Sequence, residues 1–215
     1  MNRRDAIGRV ALIMGGAVIG AEYFLSGCKS PTAQVADLFD TDHVAFLNEV
    51  ADTILPTTSS PGAKAANVGQ FMAVMVRDCY KPEDQTTFLE GVSKLDEASK
   101  KQFNAKFMDL QPQQRTDLLT ALDKEQKAYT ADRNKKLDAD RLAHANDLKY
   151  NGNYSDPAYN GIIVPNHYFR MMKELTLLGY FTSEIGATKA LRYIAVPGHY
   201  DGNVPYKKGD KAWAT

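Results

Sequence analysis

Five stretches of this chain carry apolar residues three and four positions apart, and that spacing most constrains what the chain can fold into. Each stretch places its apolar side chains on one face of an α-helix, so each face has to pack against another element. The faces are Val44, Leu47, Val50, Ala51 and Ile54; Val68, Phe71, Met72, Met75, Val76 and Cys79; Phe88, Val92 and Leu95; Leu118, Leu119 and Leu122; and Phe169, Met172, Leu175 and Leu178. We find no series of stretches in which apolar and polar residues alternate, as they would in the strands of a β-sheet. The sequence therefore predicts a mainly α fold, a single helical domain with long ordered loops.

Helix boundaries can be predicted from capping residues and prolines. Thr41 is a candidate N-cap for the first helix, so we place the domain at residues 41–215. Pro82 and Pro112 are expected in the first turns of the third and fourth helices, where a missing N–H costs nothing. Asn166 is a candidate N-cap for the last helix, which we expect to end near Gly179.

Three segments between or beyond these helices have distinct compositions. Residues 123–147 are highly charged, which is typical of a solvated helix or loop. Residues 150–160 are rich in Asn, Gly and Tyr and are predicted to form an ordered loop. Residues 177–206 combine turn-forming Gly and Pro with closely spaced aromatic residues.

The chain opens with a positively charged segment followed by an apolar run. Arg3, Arg4 and Arg9 precede an uncharged stretch from Val10 to Ala21. This stretch has the length of the apolar part of a signal peptide and is shorter than the about 20 residues that a membrane-spanning helix needs. We therefore predict that residues 1–27 are a signal peptide rather than part of the fold.

A cysteine follows the apolar run directly. Leu25-Ser26-Gly27-Cys28 resembles the lipobox of bacterial lipoproteins, in which small residues precede a cysteine that becomes a thioether of diacylglycerol. This resemblance implies lipidation at Cys28, a tether at residues 28–40 and a place on the periplasmic side of the bacterial cell envelope. The alternative is a chance match within a short membrane anchor or a buried N-terminal helix.

The paired arginines allow two export routes. Arg3-Arg4 resembles the twin-arginine signal, whose machinery carries folded proteins. The family pattern prefers Ser or Thr before the pair and Phe after it, whereas here Asn2 precedes and Asp5 follows. General secretion, which needs only a basic segment, is the alternative.

Composition and motifs exclude several functional classes. Lys and Arg total 26 and Asp and Glu total 26, a balance that argues against nucleic acid as a partner. The sequence carries no zinc-binding HExxH pair, no dinucleotide-binding or phosphate-binding glycine loop and no haem-attachment motif. We predict no catalytic, cofactor-binding or metal-binding residues in this chain. Cys79, at an apolar helical position, is expected to be a buried thiol.

Aromatic residues near the C-terminus are the strongest candidates for contact with another protein. They are Tyr180, Phe181, Tyr193, Tyr200 and Tyr206. Aromatic side chains on loops supply large contact areas while losing few rotamers. The alternative is that these side chains fold back over the domain's own helices.

Three segments together resemble the gluconate 2-dehydrogenase subunit 3 family. They are ILPTTSSPGA at residues 54–63, RDCY at residues 77–80, and LGYFTSEIGATKALRY with VPGHYDG between residues 178 and 202. The resemblance implies a non-catalytic helical subunit that binds a large FAD-dependent dehydrogenase oxidising sugars or sugar acids. FAD is expected in that partner, and in some relatives a cytochrome subunit accepts the electrons.

The resemblance also gives the export signal a purpose. The family's small subunit is associated with carrying its folded, flavin-loaded partner through the twin-arginine pathway, and the lipobox would make this chain a membrane tether as well. The alternative function is a stand-alone envelope lipoprotein that binds a carbohydrate or a protein.

Overall fold

Five α-helices make up most of the fold in the computed structural model, which describes residues 39–196, 198–199 and 201–214. In chain order they are α1 (Thr41–Ile54), α2 (Val68–Cys79), α3 (Pro82–Phe103), α4 (Pro112–Ala143) and α5 (Tyr168–Thr182). Short 3₁₀ turns occupy Ala63–Ala66 and Phe107–Asp109, and a π-helical turn occupies Gly186–Ala190. No strand occurs among the described residues, and an isolated bridge joins Arg192 to Trp213. The prediction of a single, mainly helical domain is confirmed.

Two helices begin at a different cap from the predicted one. Asp40, not Thr41, is the N-cap of α1, and its side chain accepts a hydrogen bond from the backbone N–H of His43 at 2.8 Å. His167, not Asn166, is the N-cap of α5, which ends at Thr182 rather than near Gly179. In both cases the residue next to the predicted cap supplies the acceptor for a free N–H group in the first turn. Residue type alone could not show which of two adjacent acceptors caps the helix.

The two prolines lie where the sequence places them. Pro82 and Pro112 stand at the first positions of α3 and α4. At the start of α3, the side-chain amide of Gln85 donates to the carbonyls of Arg77 at 2.9 Å and Tyr80 at 3.1 Å. This amide satisfies carbonyls at the end of α2 and fixes the sharp α2–α3 corner.

Helix α5 packs against each of the other four helices. Its inner face buries Phe169, Met172, Leu175 and Thr176. At its edge Lys173 reaches Asp123 of α4 at 2.6 Å, and Lys127 reaches the same carboxylate at 2.8 Å. Lys127 and Lys173 hold the pKa of Asp123 well below its usual range. The last helix is therefore the element around which the domain is assembled.

Cys79, a predicted core residue, lies on the surface. Cys79 occupies the last position of α2 and is exposed, with its sulfur 3.9 Å from that of Met75. The expectation of a buried thiol is wrong because the α2 face rotates away from the core in its last turn. Val68, Met72 and Val76 of the predicted face are buried as expected.

The charged segment is a helix over most of its length. Helix α4 continues to Ala143, with Leu118, Leu119 and Leu122 buried near its beginning and a largely solvated second half. The loop at residues 150–160 that follows is ordered by Asn and Asp side chains bonded to nearby backbone N–H groups. Among the helices that the structure describes, none combines the length and apolar character that crossing a membrane requires.

The cap of α5 should make the stability of the domain depend on pH. Nδ1 of His167 accepts from the N–H of Phe169 at 3.2 Å, and Nε2 lies 3.6 Å from a carboxylate oxygen of Glu125. Burial lowers the pKa of His167, and the mostly solvated Glu125 offsets this only partly. The unfolded chain then binds a proton at higher pH than the folded chain does. The free energy of unfolding should therefore fall as pH drops through about 6.5.

The variant His167→Asn tests this dependence, because Asn keeps a capping acceptor and removes the titrating ring. Urea unfolding between pH 8 and pH 5 should show a shallower loss of stability in the variant than in the wild type. The two proteins are compared by slope, so a constant difference from packing does not matter. Equal slopes would show that titration of His167 does not cause the loss of stability at low pH.

Candidate partner-binding surface

The outer face of α5 exposes apolar side chains. Leu177, Leu178 and Phe181 fall on one side of the helix, with Phe181 39% exposed, while the opposite side is buried in the core. Exposed apolar side chains that cluster on one face of a helix are typical of interaction sites, whereas isolated ones are common on any surface. This face is the first part of a candidate partner-binding surface.

Tyr180, one of the five predicted contact residues, points into the domain. Its ring is 3% exposed, and its hydroxyl donates to the carbonyl of Pro61. The tyrosine thereby joins α5 to the loop that follows α1, two segments on which the family resemblance rests. Because the ring has almost no free surface, we leave Tyr180 out of the candidate surface and assign it to the core.

Close packing continues into the turn after α5. A Cβ on Gly186 would lie 1.8 Å from the carbonyl oxygen of Tyr180, so only glycine fits at this position. Ser183 caps the helix, with its N–H bonded to the carbonyl of Tyr180 at 3.1 Å. This turn fixes the direction in which the chain leaves α5.

The segment beyond that turn, residues 191–214, is closed by a contact between its two ends. The N–H of Arg192 donates to the carbonyl of Ala212 at 2.8 Å, and the N–H of Ala214 donates to the carbonyl of Arg192 at 2.7 Å. The guanidinium of Arg192 lies over the Trp213 ring at 4.4 Å, and Lys211 reaches the carbonyl of Lys189. We call residues 191–214 the C-terminal loop. The contact holds this loop in place with little packing against the core.

Apolar side chains of the C-terminal loop are directed to solvent. Tyr193 is 55% exposed and Tyr206 is 75% exposed. Ile194, Val196 and Val204 are also exposed, with Val196 at 82%. Phe181, Tyr193 and Tyr206 are therefore available for contact, as the sequence-based hypothesis requires.

Four predicted functional residues lie outside the described residues. They are Tyr200 of the C-terminal loop, Arg3 and Arg4 of the export signal and Cys28 of the lipobox. Their roles remain predictions.

Charged side chains are exposed in the same segment. Lys207, Lys208, Lys211, Asp201 and Asp210 lie in the C-terminal loop, and Lys189 lies just before it. Charges of both signs therefore accompany the exposed apolar residues, as polar residues accompany the apolar centres of many protein interfaces.

Several members of this surface were not predicted from the sequence. Leu178 was assigned to the buried face of α5, and Leu177, Ile194 and Val196 were not singled out. Helical spacing could have identified Leu177 and Phe181 as neighbours on a second apolar face, but it could not show that this face lacks a covering element. Among the described residues, no three His, Cys, Asp or Glu side chains converge as a group able to hold a metal ion.

Comparison with known proteins gives one match. The family model described as gluconate 2-dehydrogenase subunit 3 matches residues 41–198. Comparisons with curated proteins and with solved structures found no match. The matched range includes Phe181 and Tyr193 and ends before Tyr206, so it covers α1 to α5 and the first part of the C-terminal loop.

The contact between Arg192 and Trp213 should control how firmly the C-terminal loop is held. Trp213→Ala removes the ring beneath the guanidinium, a contact worth about 1 kcal/mol. We expect faster hydrogen exchange at the N–H groups of Arg192 and Ala214, by about fivefold, without a change in the core helices. Tyr206→Ala, an aromatic truncation at an exposed site of the same loop, is the matched control. Unchanged exchange in Trp213→Ala would show that the backbone bridge alone holds the loop.

Proposed function

This chain belongs to the gluconate 2-dehydrogenase subunit 3 family, and from that premise we propose that it binds, helps to export and tethers to the membrane a large FAD-dependent dehydrogenase. Family membership suggests an accessory subunit of a dehydrogenase complex. The proposal adds the identity of the partner, the route of export and the anchor. The partner would oxidise sugars or sugar acids, as the family description suggests.

One observation carries the binding part of the proposal. The core of the domain is well packed, yet the outer face of α5 and the C-terminal loop leave large apolar side chains in solvent. Water contact with such side chains is unfavourable by roughly 25 cal/mol for each Å² of apolar area, and a partner would remove that cost. Aromatic residues such as Tyr193 and Tyr206 are common among residues that dominate binding energy.

The chemistry would take place in the partner. We propose that FAD and substrate are bound by the large subunit, and that a cytochrome subunit accepts electrons in complexes that contain one. This chain would contribute no reacting group. Its contribution would be to stabilise the assembled complex and to determine where the complex is located.

The N-terminal segment supports the export and anchoring part. A flavin inserted in the cytoplasm requires its protein to cross the membrane folded, which is the situation that the twin-arginine route serves. Diacylglycerol at Cys28, with a further acyl chain, would provide the several chains that stable attachment needs, at about 0.8 kcal/mol per buried methylene. From Cys28 to Asp40 the extended chain could span up to about 40 Å, so the domain would stay near the envelope membrane.

Replacing exposed aromatic residues should release the partner. The double variant Tyr193→Ala with Tyr206→Ala removes two exposed rings that make no hydrogen bond within the described residues, so the domain should remain folded. We expect the tagged, detergent-extracted variant to recover less than about a tenth of the large subunit that the wild type recovers. Mass spectrometry quantifies the partner, and flavin absorption reports its cofactor.

Leu148→Ala is the matched control, because Leu148 is fully exposed at a site far along the chain from the C-terminal loop. The control should recover as much partner as the wild type. Wild-type levels of partner with the double variant would show that binding uses another surface. A colourless wild-type protein recovered alone would contradict the accessory function itself.

Export and anchoring are tested by separate substitutions. Cys28→Ala should abolish lipid attachment and shift the protein to a soluble or unprocessed form, detected by fractionation and by the mass of the N-terminal peptide. Arg3→Lys with Arg4→Lys preserves charge and should stop export only if the twin-arginine route is used. Normal processing of Cys28→Ala would refute the lipoprotein hypothesis, and normal export of the lysine variant would indicate general secretion.

A further inference from the structure

The second half of α4 and the loop that follows it enclose a cavity that the accessory function does not use. The cavity has a volume of about 270 Å³. Helix α4 contributes Arg133, Leu137 and Arg141, which are four positions apart and therefore share one face. The opposite wall carries the rings of Tyr150, Tyr154 and Tyr159. We call this cavity the tyrosine pocket.

Hydrogen bonds from three tyrosine hydroxyls hold the walls of the tyrosine pocket. The hydroxyl of Tyr150 donates to Asp140 at 2.6 Å, and that of Tyr154 donates to Asp84 at 3.1 Å. The hydroxyl of Tyr159 donates to the carbonyl of Ile162. These bonds fix the rings as walls before any ligand arrives, which lowers the entropic cost of binding.

Backbone and ring approach each other closely at one point of the wall. A Cβ on Gly152 would lie 2.9 Å from both Cε1 and the hydroxyl oxygen of Tyr150, so a side chain here would push the ring out of place. Tyr154 and Tyr159 meet edge to face, with ring centres 5.2 Å apart. The shape of the pocket therefore depends on these particular residues.

Two guanidinium groups give the pocket its positive charge. Arg133 donates through Nε to the carbonyl of Val164 at 2.8 Å, which leaves its two terminal nitrogens without a hydrogen bond to the described residues. Arg141 has only a loose pairing with Asp138, at 3.8 Å between mostly exposed groups. Such a pairing is weak in water and can be exchanged for another carboxylate.

Asp140, a carboxylate near the pocket, already accepts hydrogen bonds from the protein. Asp140 accepts hydrogen bonds from Tyr150 and from the N–H of Ile162 at 3.3 Å, and its second oxygen lies 3.4 Å from His144. The bond to Asp140 raises the pKa of Tyr150 to about 12, and burial raises that of Tyr154 to about 12. Both rings stay neutral at physiological pH and do not repel an anion.

The remaining donors favour a carboxylate over a phosphate. Phosphate sites commonly use clusters of free backbone N–H groups. Here the N–H groups of Asn151, Asn153 and Ser155 are taken by asparagine side chains at 2.7 to 3.2 Å. A carboxylate needs no such cluster, because the two oxygens of the carboxylate can accept parallel hydrogen bonds from one guanidinium.

Polar groups near the arginines would select the rest of the molecule. The Nδ2 group of Asn153 and the hydroxyl of Ser155 make no hydrogen bond to the described residues, and both line the pocket. They can bond to hydroxyl groups of a ligand, while the tyrosine rings can contact its C–H faces. We propose that the tyrosine pocket binds a small carboxylate that carries hydroxyl groups.

Three probes of similar size separate the parts of this proposal. D-glucuronate carries a carboxylate and hydroxyl groups. D-glucose carries hydroxyl groups without a carboxylate, and cyclohexanecarboxylate carries a carboxylate without hydroxyl groups. In calorimetric titrations of the full, detergent-extracted chain, we expect D-glucuronate to bind at least about tenfold more tightly than either of the others. Equal binding of cyclohexanecarboxylate would refute the hydroxyl preference. Absence of D-glucuronate binding, or equal binding of inorganic phosphate, would overturn the proposal.

Substitutions test whether D-glucuronate binds in the tyrosine pocket. Arg141→Met removes a guanidinium that does not hold the loop, so D-glucuronate affinity should fall about tenfold with an unchanged melting temperature. Lys135→Met, which removes a positive charge from the same helix outside the pocket, is the matched control and should bind as the wild type does. Gly152→Ala should weaken binding without any change of charge. Equal D-glucuronate affinity in Arg141→Met and Lys135→Met would refute the placement of the ligand in the tyrosine pocket.

These titrations need no dehydrogenase. Their outcome is therefore independent of the proposed accessory function.

Discussion

Helix α5 must bury one apolar face against four other helices while a second apolar face remains in solvent, and the rest of the structure depends on this constraint. The inner face holds Phe169, Met172 and Leu175 among the other helices. If the helix rotated to bury Leu177 and Phe181, it would expose part of that core. Close packing therefore fixes the rotation of α5 and, with it, the apolar surface.

The contacts at the end of α5 extend this constraint to the C-terminal loop. Tyr180 bonds to the loop after α1, and Gly186 lies directly against the Tyr180 backbone. These two residues set the path along which the chain reaches Arg192 and its contact with Trp213. The exposed rings of Tyr193 and Tyr206 are thus presented by a segment whose two ends are joined and whose side chains are largely free. A partner could bind them without disturbing the core.

The domain also separates its two candidate sites. The partner-binding surface is formed by α5 and the C-terminal loop, whereas the tyrosine pocket is formed by the second half of α4 and the loop after it. Helix α4 can extend beyond the core because charged side chains solvate it and because Tyr150 bonds to it at Asp140. The loop at residues 150–160 also reaches α3, through the bond from Tyr154 to Asp84.

The sequence by itself determined the helical class, the prolines that open α3 and α4, most of the buried faces and the family resemblance. These properties follow from local rules, since side-chain spacing and backbone chemistry act within a few residues. Only the tertiary structure decided that Tyr180 is internal while Phe181 is exposed, that Cys79 is on the surface and that His167 caps α5. It also decided that the second half of α4 and the loop after it enclose the tyrosine pocket. Adjacent residues of a helix point about 100° apart, so a small rotation set by packing elsewhere decides which of them meets solvent.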